Sequence, residues 1–433
     1  MEKLADTKEL YTNFYTFEGV VKALNGVSIH VNKGETYGLV GESGCGKSVT
    51  VRSMMRIVQA PGRIESGQIH LFFSEEQRDK AIDIVGRSEA FMQTIRGNDI
   101  SMIFQEASSS LNPVLSIGEQ VGESFQFHRM PQMLEETEKR LSEDINAGKG
   151  LVPYKKMIRG LMARERAVYE RHNRLVLEID EQLYRLEEAT DASDIRKREA
   201  LKRHREHIRK KDPLVQFASH VPFFKRYRKR IAFTIRVHVI ELLRQLGVPN
   251  PDNVVDRYPH ELSGGMQQRI VIAIALACHP RMLIADEPTS NLDVTIQAQI
   301  LDLIKKLKET LISSVLFITH DLGVVAEVCD RVTVMYAGDA VETAEVKELF
   351  KNPLHPYTKG LMNSVPKVEQ EGALQTIPGT VPNLIHPPTG CRFHPRCPYA
   401  MDICKKEKPV TIEHSKDHFV ACHLFTGEKH NER

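Results

Sequence analysis

The chain has 433 residues, 41% of them apolar and 27% charged, with a formal net charge of +2. That balance is globular; it excludes a mainly disordered or collagen-like chain and a polyanion binder acting through its whole surface. The best apolar run, residues 270–278, falls well short of the roughly 18–20 residues that span a bilayer. The opening residues, MEKLADTKEL, are charged and carry no apolar signal core. A cytosolic chain without disulfides is the expectation.

In chain order, short apolar runs read as strands over 27–31, 36–40, 68–72 and 100–104. From about 131 to 230 the chain is rich in Glu, Lys and Arg and poor in strand-like runs. Strand patterns return over 282–286, 314–319 and 331–336, the last turning at Ala337, Gly338 and Asp339 into a second arm over 340–342. Strands alternating with helical patterns on both sides of a charged stretch predict an interrupted α/β domain. No long internal repeat is visible, so one copy of that domain is expected.

Residues 41–48 read GESGCGKS, which fits the phosphate-binding pattern G-x-x-x-x-G-K-[ST]. The motif follows an apolar strand and precedes a helical pattern over 49–57, the setting it needs. Glycines let backbone N–H groups curl around phosphate, and the helix aims its positive end at them. Lys47 would reach the β- and γ-phosphates, and the Ser48 hydroxyl would hold Mg²⁺. Gly41, Ser43, Gly44, Cys45, Gly46 and Val49 complete the expected cradle for ATP. Further on, the apolar strand 282–286 ends in Asp286 and Glu287. Asp286 would bind Mg²⁺ through water, and Glu287 would act as general base on the attacking water. The competing reading is an ordinary helix cap, since acids favour that position too.

Residues 262–269 read LSGGMQQR and open a helical run over 266–277. Here the chain resembles the ATP-binding cassette (ABC) ATPases. Gln105 after a strand, Asn291-Leu292-Asp293 after the acidic pair, and Thr319-His320-Asp321 after another strand follow the family's order. The resemblance covers roughly residues 10–345 outside the charged stretch. It implies an α/β fold: a P-loop core, an antiparallel β subdomain and a helical subdomain. Backbone N–H groups at Ser263, Gly264 and Gly265 make a second anion cradle. In the family that cradle closes on ATP held by the opposite subunit, with Gln267 beside it and Asp293 on the dimer seam. The resemblance also gives His320 to the γ-phosphate and Gln105 to Mg²⁺ and the attacking water. Adenine stacks on an aromatic residue upstream of the phosphate loop; Phe17, backed by Tyr15, is the choice among four nearby aromatics.

One subfamily is closer, the oligopeptide, dipeptide and nickel importer ATPases. Residues 20–27, 104–113, 117–121, 258–266 and 331–338 resemble its segments, as do 355–360, 377–379 and 391–404 in the tail. Ser290-Asn291 and the long insert after His128 depart from its pattern. Cys391, Cys397, Cys404 and Cys422 are separated by five, six and seventeen residues, unlike a zinc ribbon's paired spacing. Four thiolates can hold Zn²⁺ or an iron–sulfur cluster, or stay free. Similar tails in the subfamily carry a [4Fe–4S] cluster, which the resemblance extends to these four.

The insert reads as a helical hairpin. Leu161, Val168 and Leu175, then Ile179, Leu183 and Leu186, make one stripe; residues 189–194 are the break; Ile195, Leu201 and Ile208 carry a second helix. Residues 195–211 hold nine Lys and Arg against two Glu, and a basic run over 225–230 follows Phe223 and Phe224. A solvated arm, a contact with anionic lipid or permease, and a grip on protein or RNA all fit that composition.

The expected domains are 1–130 and 236–345 for the two parts of the ATPase domain, 131–235 for the insert, and 346–433 for the tail with its four cysteines. The function implied by the resemblance is ATP hydrolysis that powers solute import, for peptides first and nickel or another small solute second. A soluble ABC protein remodelling ribosomes or nucleic acid is the rival. Two membrane permease subunits, a second ABC ATPase in a homo- or heterodimer, and indirectly an extracytoplasmic solute-binding protein are the implied partners, with no nucleic acid. The implied location is peripheral, on the cytoplasmic face of the membrane.

Overall fold

Two long strands, β1 (Lys3–Thr16) and β2 (Gly19–Asn32), form a tight antiparallel hairpin in which Thr16 pairs with Gly19. The computed structural model describes residues 2–72, 81–105, 107–186, 191–207, 225–290, 292–311, 314–364 and 377–426. Only the second half of β2 is predicted from sequence, and β1 not at all. The register between β1 and β2 shifts at several points, between Thr7 and Leu10 and again between Thr12 and Asn13 among them. Each bulge resets the period-two alternation, so the strand has no clean pattern to read. β4 (Gly62–Leu71) pairs antiparallel with β1, and β5 (Ile82–Asp83) with β4, giving the order β2-β1-β4-β5.

The second sheet is built on β3 (Thr36–Val40), β7 (Met282–Asp286), β8 (Ser314–Thr319) and β9 (Arg331–Tyr336). These strands are parallel neighbours and every residue in them is buried. Burial on both faces explains their continuous apolar runs. The expected turn at Gly338 is present and leads into β10 (Asp339–Glu345), antiparallel to β9. Two tail strands, β11 (Ile412–Ser415) and β12 (His418–Val420), extend the sheet, and β6 (Ile100–Ile103) lies at its other side, giving β11-β12-β10-β9-β3-β8-β7-β6. Apart from Ile100 and Ser101 of β6, both sheets belong to one unit, Met1–Val85, Met102–Gln105 and Arg281–Arg433. Tail residues share its core: Tyr357 and Phe393 are buried with Val40, Val332 and Tyr336, with Cys391 and Cys397 packed against them.

The other unit, Gly86–Ser101 and Glu106–Pro280, is helical. Ser116 and Glu119 close a capping box at the start of the helix Ile117–His128. The expected pair of helices is present as Val152–Arg185 packed on Ala192–His207, and the insert also holds a hairpin of the helices Met130–Asn146 and Val152–Arg185. The turn between them carries Gly148 and Gly150, both at positive φ. Of the expected break at 189–194, residues 189–190 lie outside the described residues, and 192–194 already belong to the helix Ala192–His207. The apolar stripe also differs from expectation. Ile158, Met162, Tyr169 and Val176 are buried, whereas Leu161, Val168 and Leu175 are only half-buried. Met and Tyr on the inner face displace the packing line by one residue from the one that Leu and Val alone suggest. Ile208, Phe223 and Phe224 lie outside the described residues. Among the described residues, no helix is long and apolar enough to cross a membrane.

Candidate functional site

The parallel strands deliver their loops to one edge of the sheet, where α/β folds place ligands. β3 runs into the loop 41–46, and the helix Lys47–Met54 starts directly after it with Gly46 in the left-handed conformation. A Cβ at Gly41 would lie 2.2 Å from the Met335 carbonyl oxygen, so only glycine lets the loop leave the strand here. Gly44 has φ +79 and open space around its Cβ position. Lys47 is buried, and its Nζ donates to the Gly41 carbonyl at 2.7 Å and the Glu42 carbonyl at 3.1 Å. The ammonium is thus held inside the cradle that the sequence assigns to phosphate. Cys45 is buried, and burial pushes its thiol up from its ordinary value. Its Sγ lies 3.7 Å from the Lys47 ammonium. Val49 lies one residue past the Ser48 hydroxyl, in the first turn of the helix.

β7 ends at Asp286. The Ser48 hydroxyl donates to Asp286 Oδ1 at 3.0 Å. Burial raises the Asp286 carboxyl above the usual range, with the Ser48 bond opposing it. Its second oxygen, Oδ2, is buried and has no hydrogen-bond partner among the described residues. A buried orphan oxygen beside a serine hydroxyl at a phosphate loop is a donor set that fits Mg²⁺, which takes few protein ligands and keeps waters and phosphate oxygens.

Glu287 follows with φ +48, a conformation seldom taken by residues other than glycine. Its N–H bonds the Ile318 carbonyl of β8 at 2.9 Å, which fixes that turn. The turn aims the carboxylate between two other predicted residues. His320 Nδ1 lies 3.0 Å from Oε1, and Gln105 Nε2 donates to Oε2 at 3.2 Å. Glu287, His320 and Gln105 line one cavity of about 490 Å³ with Gly41, Ser43 and Leu361. Two separated sequence elements therefore meet on the carboxylate of a third.

Phe17 is fully exposed at the tip of the β1–β2 hairpin, and Tyr15 is half-exposed and bonded to Glu65 at 2.8 Å. Neither is spent on the core. Asp293 is exposed and caps the helix Val294–Thr310, its Oδ1 accepting from Ile296 N–H at 3.0 Å. In the helical unit, Ser263 is the N-cap of the helix Gly264–Leu276, yet its side chain makes no capping bond. Ser263 and Gly264 are exposed, and among the described residues nothing lies within 4 Å of a Cβ placed at Gly264. Gly265 is half-buried, and Gln267 braces the approach by donating to the Pro259 and Leu262 carbonyls at 2.9 and 3.2 Å.

The tail cysteines are neighbours. Cys391 N–H donates to the Cys404 carbonyl at 2.8 Å. Burial pushes the Cys391 thiol up to about 12 and Cys422 to about 11, with the other cysteines adding to the rise. Even so, among the described residues no three His, Cys, Asp or Glu side chains are grouped to hold a metal ion. The expected cluster is therefore not carried by this arrangement of the thiols.

Sequence reasoning missed two residues at the phosphate loop. Arg396 forms an ion pair with Glu42 at 2.7 Å, and the Tyr357 hydroxyl accepts the Glu42 N–H at 2.9 Å. Both come from the tail, more than 300 positions away, in the segments 355–360 and 391–404 that resemble the subfamily but carry no sign of a bond to this loop.

A family profile described as "ABC transporter" matches residues 24–290, and one described as "Oligopeptide/dipeptide transporter, C-terminal region" matches residues 341–404. Similar proteins include "Oligopeptide transport ATP-binding protein AppD" of Bacillus subtilis (strain 168). It is 37% identical over 430 residues, covering 99% of this chain and 98% of that protein. "Dipeptide transport ATP-binding protein DppD" of the same organism is 38% identical, covering 98% and 95%. "Probable peptide ABC transporter ATP-binding protein y4tR" of Sinorhizobium fredii (strain NBRC 101917 / NGR234) is 38% identical, covering 97% and 94%.

Proposed function

The chain belongs to the ABC transporter family as an ATP-hydrolysing subunit that powers import, and we propose that its cargo is di- and oligopeptides. The relatives' names support peptides and mention neither nickel nor ribosomes. The observation that carries the catalytic reading is Glu287, held between His320 and Gln105 beside the Asp286–Ser48 pair. Glu287 takes a proton from the attacking water, and His320 and Gln105 fix the carboxylate's direction. Lys47 and the loop N–H groups receive the triphosphate, and exposed Phe17 supports the adenine. Ser48 and Asp286 would hold Mg²⁺, which supplies charge neutralisation on the phosphates. The unprotected helix start at Ser263–Gly265 supports a role in completing a second subunit's site, with Asp293 at that seam. Closure on ATP and reopening after hydrolysis then drive two permease subunits at the cytoplasmic face of a membrane.

The four tail cysteines are proposed to take up a [4Fe–4S] cluster, or Zn²⁺. Support for this comes from the subfamily-like spacing of the four cysteines, from Cys391 and Cys397 packing on one core, and from the Cys391 N–H bond to the Cys404 carbonyl. For the enzyme reading the test is Glu287→Gln. It is expected to retain ATP, accumulate ATP-bound dimers on gel filtration, and lose roughly 10²–10⁴-fold in turnover. Full turnover in that variant would reject Glu287 as the base.

A further inference from the structure

Glu42 is the second residue of the phosphate loop, and it is gripped by the far end of the chain. Arg396 Nη1 donates to Oε2 at 2.7 Å and Nη2 to Oε1 at 3.1 Å, a two-point fork. The Arg396 side chain is only 6% exposed. Its Nε donates to the Pro378 carbonyl at 2.8 Å, and its guanidinium lies 5.7 Å from the centre of the Tyr336 ring. This is not a loose surface pair, which would contribute little. Tyr357 adds the second hold through the Glu42 N–H, and its ring is fully buried against Tyr336 and Phe393.

The third hold on Glu42 is Lys47, whose Nζ bonds its carbonyl. If ATP binds here, Lys47 must turn to the phosphates and release that carbonyl. The Cys45 N–H still bonds that carbonyl at 3.3 Å within the loop, and Arg396 and Tyr357 are then what ties Glu42, and with it the loop's N–H groups, to the rest of the fold. Arg396 ends the short turn His394–Arg396, between Cys391 and Cys397, and both cysteines pack on the core that also contains Val40 at the loop's root. The order of the cysteine tail and the order of the phosphate loop are thereby joined through one ion pair.

We infer that Arg396 and Tyr357 are positioning residues for ATP binding, so that the four-cysteine tail is a working part of the phosphate site. The inference rests on the ATP reading above. Coupling of this kind is reciprocal: whatever the tail does for nucleotide affinity, nucleotide does for tail order.

The test uses the full chain and three variants, Glu42→Gln, Arg396→Gln and the double variant. Each single change is expected to raise the KM for ATP about ten-fold while kcat stays within about two-fold. The double variant is expected to match a single one, because both remove the same bond. Tyr357→Phe, which keeps the packed ring, is expected to show a smaller rise of the same kind. In hydrogen–deuterium exchange, ADP with Mg²⁺ should slow exchange in peptides covering 391–404 of the unaltered chain and leave them unchanged in Arg396→Gln. Melting temperatures of the variants identify any that fail to fold, and Glu42→Gln, on the more exposed partner, then decides alone. Unchanged KM in Glu42→Gln, additive losses in the double variant, or identical tail exchange with and without ADP overturns the inference. Failure of the unaltered chain to bind ADP or ATP would instead overturn the ATP reading itself.

Discussion

Acid should loosen the tail at one identifiable histidine. His355 is 1% exposed at the start of the helix Pro356–Asn363, and its Nδ1 accepts the Tyr357 N–H at 3.1 Å. That bond requires the neutral ring. Burial holds the imidazole down to about 4, against an opposing pull from Glu342. The unfolded chain binds this proton near 6.5, more tightly than the folded one, so stability is full above that value and is lost as pH falls toward 4. Between those limits the cost at pH 5 is about 2 kcal/mol. The variant His355→Asn keeps a side-chain acceptor suited to a helix start but cannot titrate. Urea unfolding followed by circular dichroism at pH 7 and pH 5 gives the comparison. The unaltered chain should lose about 2 kcal/mol more than the variant over that interval. His30, also held down to about 4, contributes equally to both proteins and cancels. Equal losses in the two would refute the assignment of the acid response to His355.

The two loop glycines should respond differently to alanine. Gly41→Ala drives a Cβ into the Met335 carbonyl and is expected to abolish nucleotide binding in an equilibrium ATP-binding assay. Gly44→Ala meets only the cost of its positive φ, about 1–2 kcal/mol, and should bind with reduced affinity. For the tail, anaerobic purification should yield a brown protein absorbing near 400 nm if iron–sulfur is bound, with the absorbance lost in Cys391→Ser. Metal analysis finding zinc alone would refute the iron–sulfur choice, and no metal at all would refute both.

The candidate site is legible because each part of it is a short local pattern. The phosphate loop, the Asp286–Glu287 strand end, Gln105 and His320 each announce themselves within a few residues, and the sheet brings them together. The sequence carries no sign of the left-handed turn at Glu287, because nothing in the residue type requires it. β1 stayed hidden behind its bulges, and the insert's buried line was displaced by Met162 and Tyr169 taking inner positions. The bonds from Arg396 and Tyr357 to Glu42 were invisible for a different reason. They join residues that only the folded tail makes neighbours, and an arginine before a cysteine has no spacing rule to give it away.

The way the second sheet ends decides where this protein can be cut. β12 covers the edge of β10, and its His418 places Nε2 2.8 Å from Oε1 of Glu342, with both side chains almost wholly shielded from water. A shortened chain stopping after β10 would strand the Glu342 carboxylate in an apolar setting and bare a row of unpaired backbone groups. Such a fragment is expected to be sticky and poorly soluble. Swapping tails between related transport subunits should therefore succeed only when the partner of Glu342 travels with the graft.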